Sequence, residues 1–474
     1  MRYLSQGKNT AEVRADKVHG TGPADTNTNT NTIRIMPTDW KIVNFSEAVH
    51  RRRGCVILGH PMKKIFYGWR IVFAGGALQF LQGMLLNQAF GVYVAVLVEE
   101  RGWSKTSLSA AAALKSTEVA LLGPALGWMV DRFGSQGMVR AGVLLFGLGF
   151  ILLSQIETLA GFYAAFVILA LGSSMFSNFL MSVSIIQWFE KRRTRALSAL
   201  QMGGAIGGLF VFVVALSMQQ FGWRVTAFGS GLIAIFVGWP LACVIRSRPE
   251  DHGETIDGLP PAPKVSGHPE APAVPAFTAR QALRTSAFWL ISLGHAFSLL
   301  VVIAINVHAI THIKVGLGYT LSQATLVFTL VTVGQFFGVM LGWVIGEKFE
   351  KRKVAASCML MHATGMLMLT YAIGPIMLVL GVLIHGTAWG LRGPFMQAIR
   401  ADYFGRRSIG TIMGLSAMIT VFGHIIGPIM AGAFADWNGN YRMGFTVLAL
   451  LAASGSLFFL MARPPKMPEP EKIM

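Results

Sequence analysis

Carboxylates are scarce in this chain: 22 Asp and Glu stand against 40 Lys and Arg in 474 residues, and the four charged types together make up only 13%. A water-soluble globule carries about a quarter of its residues charged, so that class is excluded. Cysteine is equally short, and Cys55, Cys243 and Cys358 are too far apart to suggest a disulfide framework. The phosphate-binding pattern G-x-x-x-x-G-K-[ST] is missing, which argues against direct nucleotide drive. The zinc-protease pattern H-E-x-x-H fails where it comes nearest, because Ala309 and Ile310 separate His308 from the following residues up to His312. No paired acid/base set rises above chance. Neither enzyme chemistry nor a metal or cofactor is therefore expected.

What is present is apolar surface, 53% of the residues. Twelve runs are long enough to cross a hydrocarbon core of roughly 30 Å. Six fall at about 71–97, 107–130, 138–156, 159–187, 196–220 and 225–245. Six more fall at about 287–310, 322–345, 354–373, 376–399, 409–433 and 443–462. If the N-terminus is cytoplasmic, the even loops and both tails carry 33 of the 40 Lys and Arg residues, and the odd loops five. That bias predicts a multi-pass protein of the inner (plasma) membrane with both termini in the cytoplasm. Clusters such as Lys191, Arg192, Arg193 and Arg195 hug the ends of the runs and lack interleaved aromatics. They read as anchors near anionic lipid, so the net charge of +18 does not imply nucleic acid.

Residues 1–65 hold a Thr-Asn tract and the basic run Arg51, Arg52, Arg53, but no spanning segment and no secretory signal. This reads as a disordered extension, with a second plausible start at Met62. A proline-rich stretch at 247–284 separates a first set of spans, 66–246, from a second, 285–463, and 464–474 form a short tail. The two sets repeat. Leu126, Gly127, Trp128 recur as Leu341, Gly342, Trp343, an offset of 215, and Phe189 and Arg192 recur at the same offset as Phe404 and Arg407. The fold class expected is an all-α membrane protein: twelve transmembrane helices in two pseudo-symmetric six-helix bundles, with a site between them.

The segment Gly127-Trp128-Met129-Val130-Asp131-Arg132-Phe133-Gly134 resembles the loop two-to-three signature of the major facilitator superfamily. A glycine one turn before Asp131 permits close helix approach, and a carboxylate at the C-terminal end of its own helix favours the N-terminus of another. The resemblance implies that this other helix is the eleventh and that Asp131 latches the cytoplasmic gate. The repeat copy departs from the pattern, with Gly346, Glu347, Lys348, Phe349 after a one-residue insertion and Glu350 where glycine is expected. Those departures argue against a second working latch, although Glu347 joins Gly127, Asp131, Arg132 and Gly134 as a gating candidate. Gly68-Trp69-Arg70, Pro249-Glu250-Asp251-His252-Gly253 and Asp402-Tyr403-Phe404-Gly405 resemble bacterial relatives of the monocarboxylate and oxalate/formate porters, over about 66–463. Members of that branch carry a substrate-linked arginine in helix eight, whereas 322–345 here has no charge.

Lys115, Glu118 and Arg392 are the charges deep inside the runs, and an ion at mid-bilayer costs about 2.5–3.5 kcal/mol. Lys115 and Glu118, three apart on one helix, share a face and are open to a purely structural pairing. Arg392 is open to snorkelling toward the surface, but its planar fork suits a carboxylate. Glu118 is the candidate proton carrier. Gln79, Gln82, Asn87, Asn178, Gln201, Asn306, His308 and Gln335 are polar residues able to complete a cavity or to bond between helices. His295, His362, His385 and His424 read as isolated and packed, and glycines four apart at 123/127, 204/208, 338/342/346 and 423/427 as helix contacts.

The resulting expectation is a secondary transporter, monomeric, moving a small organic anion by alternating access. Arg392 and Lys115 would hold the anion with Gln82, Asn178, Asn306 and His308. Proton symport is the first reading of the coupling and anion exchange the second. Drug efflux is the rival within transport, weakened because Gly203, Gly204, Gly207 and Gly208 come without the proline of the antiporter signature. A non-transporting receptor or scaffold is the rival outside it.

Overall fold

Helices that are apolar on every side cannot be sorted by amphipathicity, and their packing is decided by where small residues let backbones meet. The computed structural model describes residues 66–103, 107, 122–259 and 277–466. All of these fall in one compact unit, Lys64–Met474, and no strand occurs among them. The calls on the N-terminal extension, on Lys115 and Glu118, and on Cys55 fall outside the described residues.

In chain order the helices are α1 (Tyr67–Gln82), α2 (Phe90–Arg101), α3 (122–133), α4 (Ser135–Ser154), α5 (Leu159–Met175), α6 (Asn178–Trp188), α7 (Arg193–Leu209), α8 (Val211–Phe236) and α9 (Gly238–Val244). There follow α10 (Ala279–Leu283), α11 (Ser286–Thr311), α12 (Leu321–Ile345), α13 (Lys351–Thr370), α14 (Pro375–Phe404), α15 (Ile409–Asn438) and α16 (Arg442–Met461). Single π-helical turns, Gly83–Asn87 and His312–Gly316, extend α1 and α11. Nine helical stretches among the described residues are long and apolar enough to cross a membrane. One of them, Arg193–Val244, runs 52 residues, about 78 Å at 1.5 Å per residue, too long for one crossing. Gly222 breaks it with φ 78°. After that glycine, Arg224 meets the carbonyl of Ser154, Gly231 packs on Gly147, and Ser247 reaches Gly134 and Gln136. The segment thus runs antiparallel to α4, so the chain reverses at Gly222. Thr158, Thr285 and Thr320 cap α5, α11 and α12, the last in a capping box with Gln323.

Bulky apolar residues face outward, Phe73 at 74% exposure and Ile373 at 94%, while glycines fill the helix contacts. A Cβ on Gly203 would lie 1.9 Å from the carbonyl oxygen of Gly76, and one on Gly207 2.3 Å from that of Phe80, so α7 lies directly on α1. Gly423 and Gly427 do the same for α15 on α11. The 204/208 pair read from the sequence as a contact touches neighbouring segments too, with a Cβ on Gly83 2.8 Å from the Gly204 oxygen and one on Gly208 3.2 Å from Gln88, but Gly203 and Gly207 make the tightest approach to α1.

Buried apolar side chains form two main clusters. One gathers α1 to α9 with Ala398, Ala401, Ile409 and Met413, and the other α10 to α16. At the end carrying the basic clusters, hereafter the basic end, the segment after α9 folds back: Asp257 Oδ2 accepts the amides of Glu190 and Lys191, and Glu250 approaches Arg406 at 3.7 Å. At the far end, Glu157 bridges Arg101 at 3.2 Å and Arg224 at 2.6 Å.

Candidate functional site

Between the two groups of helices lies a cavity of about 710 Å³, lined by α1, α3, α5, α6 and α7 on one side and by α11, α12, α14 and α15 on the other. Gln79, Gln82, Asn87, Asn178, Gln201, Asn306 and Gln335 line it, but His308 does not. The helix break between α5 and α6 explains two of these glutamines. Where α5 stops at Met175, carbonyls lose their helical donors. Gln82 Nε2 donates to the carbonyl of Ser173 at 2.8 Å and to its Oγ at 2.7 Å, and Gln79 Nε2 to the carbonyl of Phe176 at 2.7 Å. Both glutamines are thereby fixed in the wall.

The cationic group on the cavity is Arg400, 4% exposed. Nη1 donates to the carbonyl of Met396 at 3.1 Å, and Nη2 to Ser416 Oγ at 2.8 Å and His295 Nδ1 at 3.1 Å. These bonds use three of the five N–H groups of a guanidinium. Ser416 is backed by Ser292 at 2.8 Å. His295, His424 and Trp389 complete this wall, and no Asp or Glu occurs among the described lining residues.

Arg392, the arginine singled out from the sequence, is buried at 2% exposure but off the cavity. Its Nε and Nη1 have no hydrogen-bond partner among the described residues. It lies within electrostatic range of Cys358, His362, His385, His295 and His424. His362 and His385 are buried but not isolated, since their Nδ1 atoms lie 3.2 Å apart. His308 turns away, its Nε2 3.0 Å from the carbonyl of Pro428 and its ring against Tyr441. Two residues along a helix is a rotation of about 200°, so Asn306 and His308 cannot share the cavity face.

At the basic end the two groups of helices are locked together. Asp131 accepts the backbone amides of Gly410 at 2.9 Å and Thr411 at 2.7 Å, and the Thr411 hydroxyl at 2.8 Å, all at the start of α15. The helices approach so closely that a Cβ on Gly127 would sit 2.3 Å from the oxygen of Gly410. Glu347 does the corresponding thing at the start of α7, accepting the amides of Thr194 at 2.7 Å and Arg195 at 3.3 Å. The insertion around Glu347 does not prevent this. Arg132 instead lies exposed over Trp128 and Phe133. Gly134 takes φ 77° ahead of α4, where a Cβ would strike Ser247 Oγ. Arg193 and Lys351 both pair with Asp402, and Gln187 and Arg406 exchange side-chain-to-carbonyl bonds of 3.0 and 2.9 Å.

Sequence comparison decides the lineage. A family model described as Major Facilitator Superfamily matches residues 72–311 and 291–473. The chain belongs to the Major Facilitator Superfamily.

Among superfamily members, it is 24% identical to monocarboxylate transporter 13 of Bos taurus, covering 85% of this chain and 92% of that one. It is 24% identical to monocarboxylate transporter 4 of Gallus gallus, over 84% of each. It is 25% identical to the gentisate transporter of Corynebacterium glutamicum, over 86% and 90%. The solved structure of the proton:xylose symporter XylE superposes with a TM-score of 0.65 at 15% identity, covering 84% of this chain and 96% of that one, a likeness of fold. The chain is thus an all-helical member of a transporter superfamily with monocarboxylate-type relatives.

Sequence reasoning missed Arg400, His295 and His424 as cavity residues. The tenth apolar run was closed at 399, yet α14 continues to Phe404 and stops at Gly405 with φ 75°. Arg400 therefore sits within the helix. The signal was the glycine, a C-terminal stop lying five residues beyond the arginine.

Proposed function

We propose that this protein is a secondary transporter that carries a small organic anion, a carboxylate, across the inner membrane by alternating access. The observation that carries the proposal is Arg400: a buried guanidinium on the wall of a cavity of about 710 Å³, with no carboxylate among the described lining residues to neutralise it. A buried cation without a protein counterion is costly. A bound anion supplies the counterion, and a guanidinium fork receives a carboxylate through two parallel N–H···O bonds. Arg392 adds positive potential from behind the wall. The volume lies in the range of small-molecule sites. Relatives named for monocarboxylates and gentisate support the same class.

In this reading, spans 66–246 and 285–463 form two six-helix bundles, twelve helices in all, that rock about the cavity. The basic end and both termini face the cytoplasm, by the positive-inside bias. Asp131 and Glu347 are the latches that hold that end shut, with Gly127 and Gly410 as the surface they close on. The conformation described is then one closed to the cytoplasm. Gln82, Asn178 and Asn306 contribute polar contacts to the substrate, and Lys115 and Glu118 remain candidates for anion and proton binding on the second span. Transport is coupled to protons.

The test is uptake by proteoliposomes of labelled lactate, benzoate and gentisate, with and without a pH gradient. Accumulation of at least one acid, driven by an inward proton gradient and sharply reduced in Arg400→Ala at acid concentrations below the wild-type KM, is the expected result. No uptake of any acid alongside efflux of hydrophobic cations would reverse the reading, and accumulation only against a preloaded acid would replace symport with exchange.

A further inference from the structure

The bond between Arg400 and His295 has a direction that chemistry fixes. A guanidinium only donates, so His295 Nδ1, 3.1 Å from Arg400 Nη2, must present its lone pair. In the conformation described, His295 is thus an unprotonated imidazole at that nitrogen, held there by the same arginine that faces the cavity. From this geometry we infer that His295 is the group that takes up the proton when an anion binds at Arg400. The inference rests on the proposed anion site.

Arg400 Nη2 gives one N–H to Ser416 Oγ and the other to His295 Nδ1. Either parallel fork of a guanidinium, Nε with Nη2 or Nη1 with Nη2, includes an Nη2 N–H, so a carboxylate held bidentately competes with these two acceptors. An incoming carboxylate is a stronger acceptor than a neutral imidazole, since charge-assisted hydrogen bonds are roughly twice as strong as neutral ones. When the guanidinium turns its N–H toward the carboxylate, the lone pair on Nδ1 loses its donor. A proton from bulk water entering the cavity then occupies that lone pair, and the imidazolium N–H donates to the carboxylate or to Ser416. No covalent bond is made or broken beyond this N–H.

The electrostatics around the ring point the same way. From α14, Arg392 and Arg400 bear on His295, and from α15 His424 does. From α16, Phe459 packs beside it on Gly294, and α12 has no ionisable residue. The described groups bearing on the ring are therefore cationic or neutral. With the cavity empty, a proton on His295 meets only like charge, and with an anion present, the carboxylate offsets it. Anion and proton each favour the other, a reciprocity that linkage requires to be equal in both directions. Binding two ligands together and releasing them together is the property a symporter needs.

The experiment is isothermal titration of the purified full-length protein in detergent with benzoate, lactate and gentisate at about pH 6 to about pH 8, where all three are ionised. Each titration is run in two buffers of different ionisation enthalpy, which counts protons bound per anion. The wild type is expected to take up close to one proton per anion, with affinity falling up to about tenfold per pH unit on the alkaline side. His295→Asn and His295→Gln should still bind the anion, with no proton uptake and a flat pH profile. Arg400→Ala should weaken binding roughly ten- to a hundredfold. Binding by the His295 variants with proton uptake intact overturns the inference while leaving the anion site standing, and Glu118→Gln losing the proton in their place does the same. Failure of the wild type to bind any of the three acids overturns both.

Discussion

Ser182 Oγ lies 2.5 Å from Gln397 Oε1, and the two residues are 215 positions apart, the offset at which the two halves of the sequence repeat. Equivalent residues of a two-fold repeat can touch only where both lie at the axis. The contact therefore lies on the seam between the two halves, where Gln397, a residue of the cavity wall, also meets Gln201 at 3.4 Å. Among the described residues, the buried Arg392, Arg400 and the histidine pair belong to the second half, whereas the buried Arg193 of the first half is paired with Asp402.

Arg400→Ala removes the charge on the cavity wall and should raise the KM for the transported acid roughly ten- to a hundredfold, the weight of a charged hydrogen bond of about 1.5–3 kcal/mol. Arg400→Lys should recover only part of this, because an ammonium cannot reproduce the fork. Arg392→Met should leave KM within about threefold, since Arg392 is not itself a lining residue and an apolar replacement of a buried charge is often neutral or stabilising. Initial rates of uptake in proteoliposomes check all three, and a large KM effect at Arg392 with none at Arg400 would restore the sequence-based choice.

Asp131→Asn and Glu347→Gln each weaken charge-assisted bonds to backbone amides, about 1–2 kcal/mol apiece. Each should move the population toward the form open at the basic end by roughly five- to thirtyfold. A cysteine placed at Ser182, in a chain with the native cysteines replaced, reports this through its reaction rate with an impermeant maleimide added on the cytoplasmic side. Rates unchanged in both variants would remove the latch role.

Gly127→Val should act on the same equilibrium by a steric route. Its Cβ would lie 2.3 Å from the Gly410 oxygen, and overpacking of this kind costs about 1–3 kcal/mol. The same maleimide assay should show faster labelling, whereas Gly137→Val, with nothing within 4 Å of its Cβ position, should not change it.

At the far end, Arg224 and then Arg101 hold the carboxyl of Glu157 below the usual carboxylate range. A depressed folded value means that the ion pairs contribute fully above the unfolded glutamate pKa of about 4.3 and are lost as pH falls through the lower folded value. Glu157→Gln should therefore lower the Tm by the same increment at about pH 8 and about pH 6, with the difference shrinking only below about pH 4. An increment that grows on acidification would contradict the sign. Because Glu157 is exposed, the effect should also fade in high salt.

Much of the cavity was legible in the sequence for a simple reason. In an apolar span an uncharged polar side chain is conspicuous, and the glutamines and asparagines at 79, 82, 87, 178, 201, 306 and 335 line the wall. His308 shows the limit of that rule, since a polar residue also satisfies itself against a neighbouring carbonyl, here that of Pro428. Arg400 was hidden because hydropathy falls at the first charge after an apolar run, so an arginine one turn inside a helix end looks like the start of a loop. His295 carried no local signal, because its significance lies in a partner 105 residues away. The Gly127 and Asp131 signature pointed to another helix start, and the structure places both against α15.

The two carboxylates at the basic end grip main chain, the amides of Gly410 and Thr411 in one case and of Thr194 and Arg195 in the other, and the Thr411 hydroxyl adds a third bond to Asp131. A peptide N–H survives every substitution except proline. The amide bonds of each clasp are therefore insensitive to most side-chain changes, and the vulnerable points are Asp131 and Glu347, with the Thr411 hydroxyl and the tight backbone approach at Gly410 beside Asp131. Proline at 194, 195 or 411 would remove a gripped amide and open its clasp, whereas Thr411→Val would lose only the hydroxyl bond.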